Sequence, residues 1–497
     1  PEGFNKIKEA MQTVDIDMYT ECFILFDECE KLVQDVHYRD SIREPMNDFF
    51  RFQNKALISA TPIVPEKDSR FDGFMRVLIQ PDYVYRQKLK LITTNNVLET
   101  LQEVIEAKRG TVCIFCNSID SIDSFYRLIP ELSNACTFCS EDGQYKLWKG
   151  NRRKKSMMIT ELERYNFFTS RFYSAVDILC KNPPHVIFVS DLYGAAQSVI
   201  DPATEAIQII GRFRGGVNSV THIASIRPEL ECMSSSEIDH WIQGASTIFN
   251  GWKSQLARTT NIGERTLLQE AIGENSYLPY LDENGKPDSF LIANFYEKEQ
   301  VKRLYTSADL LHLAYEQTGY FVFSHEERLM PVSDNERMAI QHRLAKKKRA
   351  ELIVRKLEEM EKMSRATDKK IQKRYQRMLM NLITSTADRY IYDCFCRFGA
   401  EFVREADYNE NKLRTALNVS SEHTIKKSGQ MRTYIQRAFP VGAEISVQEA
   451  KSMLRQVYKK MGLNTGRGIT TKELEQYAEI ENSRNREARM IKILKHK

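Results

Sequence analysis

The sequence predicts an α/β protein, with parallel-sheet α/β units in its first half and a mainly helical, basic region behind them. Three observations carry this. The apolar run Phe23-Ile24-Leu25-Phe26 stops at two adjacent carboxylates, Asp27-Glu28, as a buried parallel strand does when it delivers polar groups to its carboxyl end. Between residues 85 and 226, apolar runs of strand length alternate with amphipathic stretches of helical period, the pattern of a doubly wound parallel sheet. Residues 331–497 carry 36 Lys+Arg against 21 Asp+Glu, a balance of +15, while the preceding 330 residues balance at −10.

The opening stretch holds the candidate chemistry. Residues 1–21 predict a short amphipathic helix through Phe4, Ile7, Ala10 and Met11, leading into the Asp27 strand. Of the two carboxylates, Asp27 can hold Mg²⁺ directly or through water, and Glu28 can orient or deprotonate an attacking water. A polar segment with helix comes next, its Phe49, Phe50 and Phe52 expected to pack on the sheet. A second apolar run, Ala56-Leu57-Ile58, ends in Ser59-Ala60-Thr61, and Pro62, Pro65 and Pro81 then mark a boundary.

The second α/β unit opens with a helix near Val97–Ala107 and the strand Thr111–Cys116, with Asn117-Ser118 at its carboxyl end. A helix through Ile122 and Phe125 leads to a strand at 135–139. Thr169-Ser170, Ala175 and Asp177 come after a polar, basic segment. The strand His185–Val189 precedes a helix carrying Gln208-Ile-Ile-Gly211-Arg212-Phe213-Arg214, and Val220–Ile226 closes the unit. Cys113-x-x-Cys116 and Cys136-x-x-Cys139 match a zinc spacing superficially, but both pairs lie in strand runs, where positions i and i+3 face opposite sides. They read as buried free thiols of a reducing cytoplasm.

Five of these stretches, in this order, resemble motifs II to VI of superfamily 2 helicases of the DEAD/DEAH type. Asp27-Glu28-Cys29-Glu30 is similar to motif II, with Glu30 where those families have Asp or His, and Ser59-Ala60-Thr61 to motif III. Phe115, Asn117 and Ser118 resemble motif IV. Thr169-Ser170 through Asp177 resembles motif V, with Ala175 at a family glycine. Gln208, Gly211 and Arg212 are in register with motif VI, whose short Gln-x-x-Gly-Arg-x-Arg form resembles herpesvirus origin-binding-protein-type helicases. The resemblance covers residues 27–214.

It implies a tandem RecA-like core: the C-terminal part of a first domain at 1–80 and a second domain at 85–230. ATP and Mg²⁺ would be the cofactors, with Asp27 organising the metal through the nucleotide and Glu28 activating water. Arg212 or Arg214 would serve as the arginine finger, with Glu30, Gln208, Gly211, Asp177, Ser59 and Thr61 at the nucleotide or coupling it to the track. Asn117, Ser118, Thr169 and Ser170 would bind nucleic acid. No Gly-x-x-x-x-Gly-Lys-Ser/Thr loop occurs in the chain. In this family that loop lies upstream of motif II, so the first domain is expected to be truncated in a chain that begins at Pro1.

Residues 231–330 read as an α+β accessory region. Glu283-Asn-Gly-Lys286 predicts a β-hairpin between Tyr277–Leu281 and Ser289–Phe295. Residues 331–440 form a basic helical region, in which Lys346-Lys-Lys-Arg349 reads as an exposed face over Leu352, Ile353, Leu357 and Met360. Residues 441–497 read as a small helical module. Ser446-x-x-Glu449 opens a helix that Gly462 ends, and Thr470-x-x-Glu473 opens another; two such helices suit a helix-turn-helix or winged-helix element.

At 497 residues, 42 % hydrophobic and 28 % charged, the chain should form about three soluble domains. No run approaches the roughly 18 apolar residues of a membrane span, and no signal peptide precedes the first strand, so a cytoplasmic location is expected. The function expected is an ATP-dependent helicase or translocase on DNA (or RNA), with replication proteins as candidate partners and no membrane. The alternative is a non-catalytic nucleic-acid-binding scaffold on a degenerate helicase core.

Overall fold

Runs such as Val112-Cys-Ile-Phe115 and His185-Val-Ile-Phe-Val189 are apolar on both sides of a strand, so their sheet must be covered on both faces. That is how the chain folds. The computed structural model describes residues 3–37, 39–150, 154–159, 161–174, 176–330, 332–363, 369–463, 469–484 and 488–497. It divides into two units, Pro1–Met338 and Ala339–Lys497.

In the N-terminal unit β1 (Phe23–Asp27) and β2 (Asn54–Ile58) pair in parallel, Asp27 opposite Ile58. A second sheet contains β3 (Gln87–Thr94), β4 (Val112–Phe115), β5 (Cys136–Phe138), β6 (Lys154–Ser156), β7 (Tyr165–Phe168), β8 (His185–Ser190), β9 (Ser219–Ser225) and β10 (Phe321–Arg328). Its order is β10-β3-β9-β8-β4-β7-β5-β6, and every pair is parallel. Side chains alternate between two cores. Cys113, Phe115, Val186 and Phe188 enter one, with the helices Glu205–Gly211, Ser289–Leu304 and Ala308–Gln317. Val112, Ile114, Cys116, Ile187 and Val189 enter the other, with the helices Val97–Glu106 and Ile119–Leu128. Cys113 and Cys116 thus lie on opposite faces of the sheet, and Cys136 and Cys139 divide the same way.

Two features lock this sheet. Phe115, Phe168 and Phe138 occupy register positions across β4, β7 and β5, and their rings stack at 5.0 and 4.9 Å. Each such pair contributes about 0.5–1.5 kcal/mol beyond area burial. Ser190 on β8 joins His222 Nε2 (3.0 Å) and Tyr305 (3.1 Å), while Tyr315 reaches His222 Nδ1 (2.8 Å). Burial drives the His222 imidazole down to about 3, so it stays neutral within this network.

The structure corrects the sequence reading in several places. Residues 277–295 do not form a hairpin. The turn exists, closed by a Leu281–Pro287 bridge with Gly285 at φ 71°. Its flanks are a 3₁₀ turn, Leu278–Tyr280, and the helix Ser289–Leu304. Asp288 accepts from the Phe290 and Leu291 amides and so starts that helix, whose Phe290, Leu291, Asn294 and Val301 share a buried side. Strand β10 lies in the expected accessory region yet forms the edge of the main sheet. β1 is covered on one side only: Ile24 and Phe26 pack on the Cys29–Phe49 cluster, while Phe23 and Leu25 are 62 % and 53 % exposed. The helix Phe4–Thr13 forms as expected but buries none of its residues. Residues 75–84 form neither helix nor strand, and Met75, Leu78, Ile79 and Val84 are almost wholly exposed.

The C-terminal unit contains the helices Lys346–Met363, Lys369–Ser385, Arg389–Glu405, Glu410–Lys426, Gly429–Ala438 and Val447–Lys460. Ile353 and Leu357 point inward, and Lys346 and Lys347 pair with Glu410 and Asp407. The last module is not purely helical. β11 (Glu444–Ser446), β12 (Ala478–Arg484) and β13 (Arg489–His496) form an antiparallel sheet in the order β11-β13-β12. Ser446 caps the Glu449 amide, and Gly462 stands just past the helix at φ 70°. The helix expected from Thr470 is a six-residue 3₁₀ turn, Thr471–Gln476, because β12 begins two residues later. Most of the Gly462–Gly468 loop lies outside the described residues, as do Arg152, Arg153 and Ala175. Among the described residues no helix is long and apolar enough to cross a membrane.

Candidate functional site

Parallel pairing of β1 and β2 brings Asp27-Glu28 and Ser59-Ala60-Thr61 to the same end of their sheet. The chain turns sharply there. Glu28 adopts φ 53°, a conformation costing a non-glycine residue about 1–3 kcal/mol and concentrated at functional sites. Its amide bonds Asp27 Oδ1 (2.9 Å), and the Cys29 amide bonds the Ile58 carbonyl (3.2 Å). Glu30 then turns inward and is fully buried.

The helix Glu205–Gly211 meets this turn. Gln208 Nε2 donates to Glu30 Oε1 (2.8 Å) and to Thr61 Oγ1 (2.9 Å). Ser59 Oγ donates to Glu30 Oε2 (2.5 Å) and accepts from the Thr61 amide (2.9 Å). Burial pushes the Glu30 carboxyl up, against the Ser59 hydrogen bond that pulls it down. Gln208 Oε1 is buried with no hydrogen-bond partner among the described residues, so one strong acceptor of this residue is left unsatisfied. Arg212, one turn beyond Gln208, bonds the Gln208 carbonyl through Nε (3.1 Å) and brings Nη2 to 3.8 Å from Glu28 Oε1.

Six residues from three distant stretches thus form one group: Glu28, Glu30, Ser59, Thr61, Gln208 and Arg212. Asp27 stands beside it, exposed. Gly211 lies between Gln208 and Arg212, with open space where a Cβ would stand. The two arginines separate cleanly. Arg212 is 12 % exposed and faces Glu28, whereas Arg214 is 62 % exposed and pairs with Asp177 (3.0 Å). Asp177 remains close in the chain path, since the Ile178 amide bonds the Arg212 carbonyl (2.8 Å).

The four residues expected to touch nucleic acid are not part of this group. Ser118 is buried and its hydroxyl caps the helix Ile119–Leu128 through the Ser121 amide (3.0 Å). Asn117 is half-buried. Thr169 is buried against the Phe138 carbonyl, and Ser170 is exposed at the start of a 3₁₀ turn.

A second polar cluster adjoins the site. Gln34 Nε2 donates to Thr204 Oγ1 (2.9 Å) and Glu297 Oε1 (3.4 Å). Thr204 Oγ1 donates to Asp201 Oδ2 (2.6 Å), and Glu205 Oε2 accepts from the Asp201 amide (2.9 Å). Parts of both glutamates remain accessible, but burial of their carboxyl groups pushes Glu205 up to about 8 and Glu297 up to about 7. Glutamates at 205 and 297 in amphipathic helices carry no distinguishing pattern in sequence. The spacing of four between Gln208 and Arg212 is the signal that singles out this arginine, since it puts both on one side of a helix.

These two acids make stability depend on pH. Both stay protonated in the fold above the pH at which the unfolded chain ionises them, so their stabilisation is complete below about 4.5 and is lost as pH rises toward 7 and 8. His222 acts oppositely, but only below its unfolded value near 6.5. Between pH 6.5 and 8 stability should fall by at most about 1.4 kcal/mol per pH unit through Glu205. Denaturant unfolding of wild type and Glu205→Gln checks this; the variant's profile should be flatter over that window.

The sequence matches no protein-family model and no curated protein.

Proposed function

We propose that the chain is the motor part of an ATP-dependent helicase or translocase of superfamily 2, acting on DNA, with two RecA-like domains around the nucleotide. The observation that carries this reading is the joining, by hydrogen bonds and an ion pair, of residues 28–30, 59–61 and 208–212, which the sequence separates by up to 184 positions and the motif resemblance assigns to one site. Its chemistry suits hydrolysis of a phosphoanhydride. Asp27 uses one carboxylate oxygen on the Glu28 amide and would hold Mg²⁺ through the other; bound there, the ion would neutralise phosphate charge.

Glu28 would accept the proton of the attacking water. Arg212 would leave Glu28 for the transferring phosphoryl group, its guanidinium spreading positive charge over the oxygens. Ser59, tied to Gln208 through Glu30, and Thr61, bonded to Gln208 directly, would transmit the change to the nucleic-acid track. Arg214 and Asp177, both exposed, fit a supporting role.

A second reading has one observation in its favour: these 497 residues include no phosphate-binding loop. A non-catalytic scaffold that binds nucleic acid would need none. The deciding experiment is nucleic-acid-stimulated ATP hydrolysis by the natural full-length protein beside Glu28→Gln. Stimulated turnover lost in the variant supports the motor. No turnover, with nucleic-acid binding intact, supports the scaffold.

A further inference from the structure

The sheet of the C-terminal module carries an unbalanced charge at one end. Along β13, Lys492 stands opposite Glu444 and Glu481, and Lys495 opposite Glu479. These cationic positions are matched by glutamate. The last pair is not: Arg484 faces Arg489 directly across β12 and β13. Like charges opposed in this way destabilise a hairpin, and both arginines are exposed with no acidic partner among the described residues. Residues 429–497 carry 14 Lys+Arg against 7 Asp+Glu, so the module as a whole is basic too.

Strand alternation fixes where the arginines point. Arg489 shares its side of β13 with Ile491 and Ile493, both fully buried in the module core. Arg484 and Arg489 therefore project beyond that core on the side occupied by the helices. The short turn Thr471–Gln476 lies on this side too, but it is poorly made for reading a groove. It is six residues of 3₁₀ helix, Glu473 is held by Tyr458 (2.6 Å) and Lys426 (3.0 Å), and Glu475 adds a further negative charge. The module's aromatic rings, Tyr434, Phe439, Tyr458 and Tyr477, are buried or half-buried, so it offers no platform on which single-stranded bases could stack.

We propose that the β12–β13 hairpin binds the phosphate backbone of double-stranded nucleic acid through Arg484 and Arg489, and that this module contacts the duplex with its hairpin rather than with a recognition helix. Two phosphates, one on each guanidinium, would remove the repulsion that the free module tolerates. This inference uses the C-terminal unit alone and does not depend on the ATP site.

Fluorescence anisotropy of the full chain with a labelled random-sequence DNA duplex, titrated without ATP at several salt concentrations, tests it. Arg484→Ala with Arg489→Ala should weaken binding about tenfold and reduce the slope of log affinity against log salt by about two. The double lysine variant should retain affinity and slope, and the thermal midpoint of the alanine variant should be unchanged or raised. Unchanged duplex affinity overturns the proposal, as does an equal loss in the lysine variant. It also fails if the alanine variant loses only single-stranded oligonucleotide or only phosphatidylserine vesicles.

Discussion

Replacing Arg212 with alanine should lower nucleic-acid-stimulated ATP turnover of the full-length protein about a thousandfold, while Arg214→Ala should cost less than about tenfold. Arginines that contact a transferring phosphoryl group contribute on the order of 10³–10⁵ to turnover. Arg212 is the one held inside the site, between the Gln208 carbonyl and Glu28. Arg214 points to an exposed carboxylate, and an exposed pair contributes little. Steady-state kinetics on both variants separates the two positions. A larger loss at Arg214 would reverse the assignment and require a different approach of helix Glu205–Gly211 to the nucleotide. Arg212→Lys should not rescue, because an ammonium lacks the planar fork.

Glu28→Gln should reduce turnover by about 10²–10⁴, the range for loss of a general base, with nucleic-acid affinity nearly unchanged. The substitution keeps the side-chain length and the resting contact with Arg212 but removes the charge that would take a proton. Single-turnover hydrolysis beside equilibrium binding measures both quantities. Loss of binding equal to the loss of turnover would mean that Glu28 shapes the turn, through its left-handed backbone, rather than moving a proton.

How much of the fold and site is legible in the sequence depends on how local the information is. Strands β4, β5, β8 and β9 of the main sheet are legible because runs such as Val186–Val189 are apolar on both sides and bounded by turns, whereas β3, β6 and β7 are not singled out by the sequence. Asp27-Glu28 and Ser59–Thr61 are legible because each closes a short apolar run. β10 gives no such sign of belonging to the main sheet: its His325-Glu-Glu-Arg328 half looks solvated, and its place beside β3 is set by pairing across more than 200 residues. The false hairpin comes from a real turn. Asn284-Gly285 specifies the reversal, but the capping carboxylate of Asp288 commits the chain beyond it to a helix. Ser118 illustrates the converse, since a serine after a strand suits phosphate contact and helix capping equally, and only the Ser121 amide shows which use prevails.

The uncovered stretch at residues 75–84 bears on how the chain behaves in a concentrated solution. Val77-Leu78-Ile79 is strand-prone and open to solvent, so a neighbouring copy could pair with it edge to edge. Arg76 on one side and Pro81-Asp82 on the other confine the sticky part to Val77–Gln80. That is shorter than the six or seven residues a stable cross-β stack requires. The charge and the proline stand where gatekeeper residues limit such pairing.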